Sequence, residues 1–215
     1  MTDSDILNSQ MPPTRRRILI ALKEHGGMTA DELGKELGIT SVAVRQHLTN
    51  LELGQLVDHE QVKRATGRPT FVYHLTGPAH LLFPSSYDQL AIQVLRTVKD
   101  LFGQQAIDLI FEQRKQEQIE RYRADVNGEN LRDRLEQLTR LRQADGYMAT
   151  WEELADGSYL LHQRNCPILR VAEWCDAACG QEMALFADLL DVEITRQRHQ
   201  AMGDATCSYQ IRARS

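Results

Sequence analysis

Four cysteines stand at positions 166, 175, 179 and 207 of this chain, and the first 165 residues hold none. Thiolates are soft donors that hold zinc or iron–sulfur clusters. Structural zinc sites usually draw on two close pairs, whereas the gaps here are eight, three and twenty-seven residues with no CxxC, which disfavours zinc. Iron–sulfur clusters tolerate irregular spacing but need thiolates that converge from separate elements. A loop at Cys166, a helical segment at Cys179 and a strand edge at Cys207 meet that need. Cys175 and Cys179 lie four apart and would share a helix face. The plain alternative is four buried, inert thiols; clustering of this kind favours a site.

A second set of residues could read DNA. Between Ser41 and Leu53, Val44, Leu48 and Leu51 fall on one side of a helix. Ser41, Val42, Arg45, Gln46 and Thr49 fall on the other. An α-helix fits the major groove, where arginine can fork onto guanine and glutamine can pair with adenine. The basic stretch Lys63–Arg64–Ala65–Thr66–Gly67–Arg68 would bring Arg64 and Arg68 to phosphates or the minor groove. Thr14 to Arg16, at the start of an earlier helix, could hold a phosphate on backbone amides. Interaction with a protein partner is the competing reading, and agreement between the polar helix face and the basic tip favours DNA.

The elements that would position these residues follow from periodicity. Helices are expected over 14–23, over about 29–37 behind a Thr29/Glu32 capping box, and over 41–53 after the turn Gly38-Ile39-Thr40. Strands at 56–60 and 70–75 flank the basic tip, so the first block reads as a winged helix-turn-helix. Residues 87–102, 104–123 and 128–143 read as further helices. The last carries Leu131, Leu135, Leu138 and Leu141 as a narrow stripe that packs either on its own chain or on a partner. Beyond Gly146 two strand pairs, 147–151 with 159–162 and 192–196 with 208–212, bracket a helix at 181–190.

The fold class expected is therefore α+β: a winged helix-turn-helix (1–84), central helices for linkage and dimerisation (85–145), and a small α+β domain holding every cysteine (146–215). The 215 residues, 42% hydrophobic and 26% charged, suffice for such cores. No stretch approaches the roughly 20 apolar residues of a membrane span, and the acidic start MTDSDILNSQ lacks a secretory signal. A cytoplasmic protein with reduced thiols is expected, with no membrane partner. The net charge of −5 lies entirely beyond residue 80, since residues 1–80 balance nine cations against nine acids. A polyanion would dock there.

The segments GITSVAVRQHLTNLE, KRATGRPTFVYHLT and NCPI…CDAACGQE…DATCSYQI resemble, along nearly the full chain, the Suf-operon repressor family (SufR) of bacterial transcriptional regulators. The first two segments are shared with related regulators, and the cysteine-bearing tail discriminates. The resemblance implies a homodimer on an inverted-repeat operator in double-stranded DNA. It implies one oxygen-sensitive [4Fe-4S] cluster per subunit, and repression of iron–sulfur assembly genes while the cluster is present. It also implies Cys166, Cys179 and Cys207 as ligands, spaced thirteen and twenty-eight positions apart. Cys175 falls outside that set, and His162, His199, Cys175 or a small external molecule is left as the fourth ligand.

Histidines 25, 47, 59, 74 and 80 read as surface or packing residues. No P-loop, Rossmann glycine pattern or nucleophile elbow occurs. A non-enzymatic protein without a small-molecule substrate is expected. A zinc-stabilised or thiol-redox regulator with the same DNA-binding half is the alternative, and a ligand-binding or enzymatic tail lacks any paired acid/base constellation.

Overall fold

The computed structural model describes residues 11–63 and 69–214. The chain divides into two compact units, residues 1–85 and 86–215. Residues 85–145 and 146–215, separate regions in the sequence reading, thus share one unit.

In the N-terminal unit, helix α1 (Pro13–His25) starts on a proline and stops at Gly26, whose φ of 81° suits a residue without Cβ. Strand β1 (Met28–Thr29) leads into α2 (Ala30–Leu37). The capping box is formed: Glu32 N–H donates to Thr29 Oγ1 at 3.2 Å, and Thr29 N–H donates to Glu32 Oε2 at 2.8 Å. The left-handed Gly38 turns the chain into α3 (Ser41–Leu53), whose N-cap Thr40 accepts from Ala43 N–H at 3.2 Å. Strands β2 (Val57–Val62) and β3 (Thr70–Leu75) pair antiparallel from Val57↔Leu75 to Val62↔Thr70. The sheet order is β1-β3-β2, so the short β1, absent from the sequence reading, covers the far edge of β3. Ile18, Leu19, Leu22, Leu33, Leu37, Val44, Leu48 and Leu51 fill the core. The short α4 (Gly77–His80) follows the wing.

The C-terminal unit begins with α5 (Tyr87–Phe102), α6 (Gln104–Arg123) and α7 (Leu131–Ala144). Strands β4 (Ala149–Glu153), β5 (Tyr159–Gln163), β6 (Val192–Arg198) and β7 (Cys207–Ala213) form an antiparallel sheet in the order β4-β5-β7-β6. Leu135 and Leu138 are buried with Ala149, Leu161, Leu185, Phe186, Leu190, Tyr209 and Ile211, so the leucine stripe of α7 packs within its own chain. By contrast α5 buries nothing: Leu90, Val94 and Leu101 are exposed.

Two features around the cysteines differ from expectation. The helix expected at 181–190 starts at Asp176, and an unforeseen helix α8 (Leu169–Trp174) precedes it. Cys175 sits between α8 and α9 (Asp176–Leu190) as an extended N-cap with φ −137° and ψ 104°. It therefore does not share a helix face with Cys179, because a residue outside the helix does not follow the helical period. Its side chain packs instead with Ile107, Phe111 and Ala178.

Candidate nucleic-acid interface and thiol cluster

On α3, Val42, Arg45, Gln46 and Thr49 are exposed and Ser41 is half-buried, while Val44, Leu48 and Leu51 anchor the opposite side. All five predicted residues thus lie on the solvent side of a helix fixed to the core. Arg45 Nη2 lies 3.4 Å from Asp31 Oδ1, with both side chains more than half exposed, a pairing that water screens and a phosphate or base can displace. Thr49 Oγ1 donates to the Arg45 carbonyl at 3.0 Å, which leaves its lone pairs outward. Arg17 Nη2 donates to the Leu37 carbonyl at 3.2 Å and ties α1 to the helix-turn-helix corner. That corner is tight. A Cβ on Gly34 would stand 2.9 Å from the Ile39 carbonyl oxygen, so α2 and the turn approach as they do only because the side chain is a hydrogen. Arg64 and Arg68 lie outside the described residues; Lys63 beside them is exposed.

In the C-terminal unit three cysteines are brought together from three elements. Cys166 lies in the loop before α8, Cys179 in the first turns of α9, and Cys207 opens β7. Cys166 lies within electrostatic reach of Cys207, and Cys179 within that of both Cys166 and Cys207. Burial, with the Glu182 carboxylate nearby, pushes the Cys166 thiol up to about 11 and the Cys179 thiol up to about 12. Both are protonated at neutral pH.

The segment after β6 closes over these thiols. His199 Nε2 lies 3.1 Å from Cys179 Sγ, and Gln200 N–H donates to Cys207 Sγ at 3.4 Å. Burial and the neighbouring Arg196 hold the imidazole below its ordinary value, so it is neutral at pH 7. His199 N–H donates to Asp204 Oδ2 at 2.7 Å, which fixes the turn. Antiparallel pairing sets Gln163 directly opposite Cys207, so the two side chains share a face of the sheet. Gln163 is 1% exposed and its Nε2 has no hydrogen-bond partner. An orphaned buried donor beside the thiols is costly in an empty core, and fits an anionic occupant rich in sulfur.

Three sequence candidates separate here. His162 faces Ser208 across the strands, on the side of the sheet opposite Cys207. It interacts with Ser208 Oγ at 2.9 Å and Glu152 Oε1 at 3.2 Å. Cys175 lies in another packing cluster, as described above. Only His199 joins the thiols.

Behind the thiols lies a buried ionic network that charge patterning did not reveal, because Arg142 and Glu182 look like ordinary solvated helix charges. Arg142 is 0% exposed, pairs with Glu182 and stacks on the Tyr147 ring with Cζ 3.3 Å from the centroid. Its pKa is raised although burial opposes the charge, because Glu182 holds it. Glu182 Oε2 also accepts from the Tyr209 hydroxyl at 3.0 Å. The Tyr209 phenol is raised chiefly by burial. Both carboxylate oxygens of Glu182 are thus engaged.

Among the described residues, donor atoms of three metal-ligating side chains come within 4.8 Å of one another only at Glu24, His25 and Glu36, all exposed on the N-terminal unit. A single tetrahedral zinc with bonds of about 2.3 Å would hold its sulfurs about 3.8 Å apart. The three thiols are therefore spread more widely than one ion requires.

Residues 12–60 match the helix-turn-helix domain family. Solved structures similar to parts of the chain include RV1404 from Mycobacterium tuberculosis, at 18% identity over 46% of this chain and 65% of that one, with a TM-score of 0.33. Others are the adhesin competence repressor AdcR from Streptococcus pyogenes (19% identity, 49% and 78% coverage, TM-score 0.31) and ZitR from Lactococcus lactis (17%, 48% and 70%, 0.30). The match thus spans just under two thirds of the mycobacterial protein. No curated protein sequence matches the chain. The N-terminal unit is a helix-turn-helix domain with a β-hairpin wing, the fold of DNA-binding transcriptional regulators. Among the described residues no helix is long and apolar enough to cross a membrane.

Proposed function

We propose that the protein is an iron–sulfur-cluster-sensing transcriptional repressor of cluster-assembly genes, binding an inverted-repeat operator as a homodimer while its cluster is bound. The observation that carries this reading is the meeting of Cys166, Cys179 and Cys207 beside an unpartnered buried amide. The assignment to assembly genes rests on the resemblance of the cysteine-bearing tail to the Suf-operon repressors.

Cys166, Cys179 and Cys207 would hold the cluster, one per subunit, and Gln163 would direct its free N–H toward sulfur. A bound [4Fe-4S] cluster supplies oxygen-labile cross-links among these three elements. Each thiol loses its proton on ligation, so retention depends on the site staying dry. Arg45, Gln46 and Thr49 would read base edges, with Ser41 and Val42 beside them, and Arg64 and Arg68 would meet the backbone. The exposed apolar face of α5, with Leu90, Val94 and Leu101, would meet the same face of a second copy. Two recognition helices would then enter successive major grooves about 34 Å apart. Coupling requires that the operator-binding arrangement of the dimer favours the loaded site.

The test is the iron and acid-labile sulfide content, with the visible spectrum, of protein purified without oxygen. Matching iron and sulfide with broad absorption near 400 nm, bleached by air, is expected. A colourless protein holding zinc would favour the zinc-stabilised regulator, a reading that the 3.1 Å approach of Cys179 and His199 supports. A colourless protein that also resists reconstitution would remove the sensing mechanism.

A further inference from the structure

We propose that His199 Nε2 is the fourth protein ligand of the cluster; the inference rests on the cluster reading above and deepens it. Nε2 lies 3.1 Å from Cys179 Sγ and 3.3 Å from Arg196 Nη1. A guanidinium N–H can only donate, so at 3.3 Å from Arg196 Nη1 the His199 Nε2 is the accepting atom. Nε2 is therefore the unprotonated ring nitrogen, and it lies within 3.1 Å of the Cys179 sulfur. The turn that carries it is built for the purpose. Asp204 holds the His199 amide, and the next residue, Gln200, gives its own amide to Cys207 Sγ. One short segment thereby touches two of the three thiols.

The competing donors are occupied or remote. Glu182 is electrostatically close to Cys166 and Cys179, yet its oxygens serve Arg142 and Tyr209. His162 faces the other side of the sheet, and Cys175 packs against Ile107 and Phe111. On ligation the three thiols each release a proton to solvent. Nε2 donates its lone pair and releases none, so a neutral donor replaces a fourth thiolate. Arg196, the cation beside it, offsets part of the negative charge gathered by three thiolates.

The experiment uses full-length protein labelled with 15N-histidine, reconstituted anaerobically with ferrous iron and sulfide, and reduced with dithionite for pulsed electron–nuclear spectroscopy. A coupling of directly bonded nitrogen is expected in the unaltered protein and in His162→Ala. It should vanish in His199→Ala at iron and sulfide contents within about twofold of the parent. Should that variant fail to hold a cluster, His199→Cys serves instead, with the cluster retained and the nitrogen coupling gone. A full cluster with no bonded nitrogen in the parent, or a coupling that survives either His199 substitution, overturns the assignment while leaving the sensor intact. A parent protein that takes up neither iron nor sulfide overturns both.

Discussion

Burial keeps the Cys166 and Cys179 thiols, the ligands of the proposed cluster, protonated and unreactive in the metal-free protein. With folded values near 11 and 12, they carry little thiolate at pH 8. Alkylation of metal-free protein by iodoacetamide should therefore run roughly a few hundredfold slower at Cys166 and roughly a few thousandfold slower at Cys179 than the thiolate fraction of an ordinary thiol of pKa about 8.5 would give, and accelerate as pH rises. Mass-spectrometric mapping of alkylated peptides checks this. Because the folded values lie above the unfolded one, the same thiols favour folding below pH 9. Their contribution is lost as pH climbs through 11 to 12, so the metal-free unit should melt at lower temperature in strong alkali. Cys179→Ser should abolish cluster retention and operator binding while leaving the circular dichroism of the helices unchanged. Full operator affinity in that variant would break the link between thiols and DNA. On the DNA side, Arg45→Ala removes an exposed side chain that among the described residues forms an ion pair only with the screened Asp31. Operator affinity should fall by about 1–3 kcal/mol, roughly 5- to 150-fold, with relaxed specificity at one base pair and no change in melting temperature.

In the helix-turn-helix, geometry is set by what is missing. Gly34 meets the Ile39 carbonyl at the distance of a hydrogen, and its φ is an ordinary helical one, so the constraint is steric. Gly34→Ala should destabilise the N-terminal unit by about 1–3 kcal/mol through backbone displacement, although alanine is the better helix former. Calorimetry should show a fall of several degrees in that unit alone. Helices α5 and α7 make a complementary contrast. Both carry apolar residues at helical spacing; α7 spends them on its own sheet, whereas α5 packs Leu95 and Val98 beside Ile107 and Phe111 and leaves Leu90, Val94 and Leu101 to solvent. If α5 forms the proposed dimer seam, substituting Leu90 and Val94 by aspartate should leave the protein monomeric in light scattering, with operator affinity lost in step; a parent protein that is itself monomeric would remove the seam.

Across the whole molecule, two cores are stabilised by different means. The N-terminal unit relies on aliphatic packing, while the C-terminal unit encloses the fully buried Arg142 against Glu182 and Tyr147. Removing one partner of a buried pair leaves the other charge uncompensated, at about 3–5 kcal/mol. Arg142→Met should therefore lower the unfolding midpoint of the C-terminal unit and leave that of the N-terminal unit in place. Glu182 lies behind the thiols, so the variant should also retain less iron; a cluster held as tightly as in the parent would separate the ionic network from the site.

Periodicity, caps and turn residues sufficed for the winged helix, because local signals there agree with burial: the Thr29/Glu32 box, Gly38 and the Val44, Leu48, Leu51 stripe each act over a few residues. The β5 and β7 strands and the cysteine clustering were legible in the same way. What spacing alone could not assign was which donors meet. Cys175 and Cys179 stand four apart, yet a break between two helices packs Cys175 with Ile107 and Phe111 and leaves Cys179 beside His199. His162 and His199 are the same residue type, yet cross-strand register puts one on the far face and a turn after β6 puts the other at Cys179. Arg142 and Glu182, forty positions apart, read as surface charges until the folded core encloses both. Such choices depend on contacts between residues distant in sequence, where the cost of burying a charge or leaving a polar atom unpaired depends on a partner that no local pattern names.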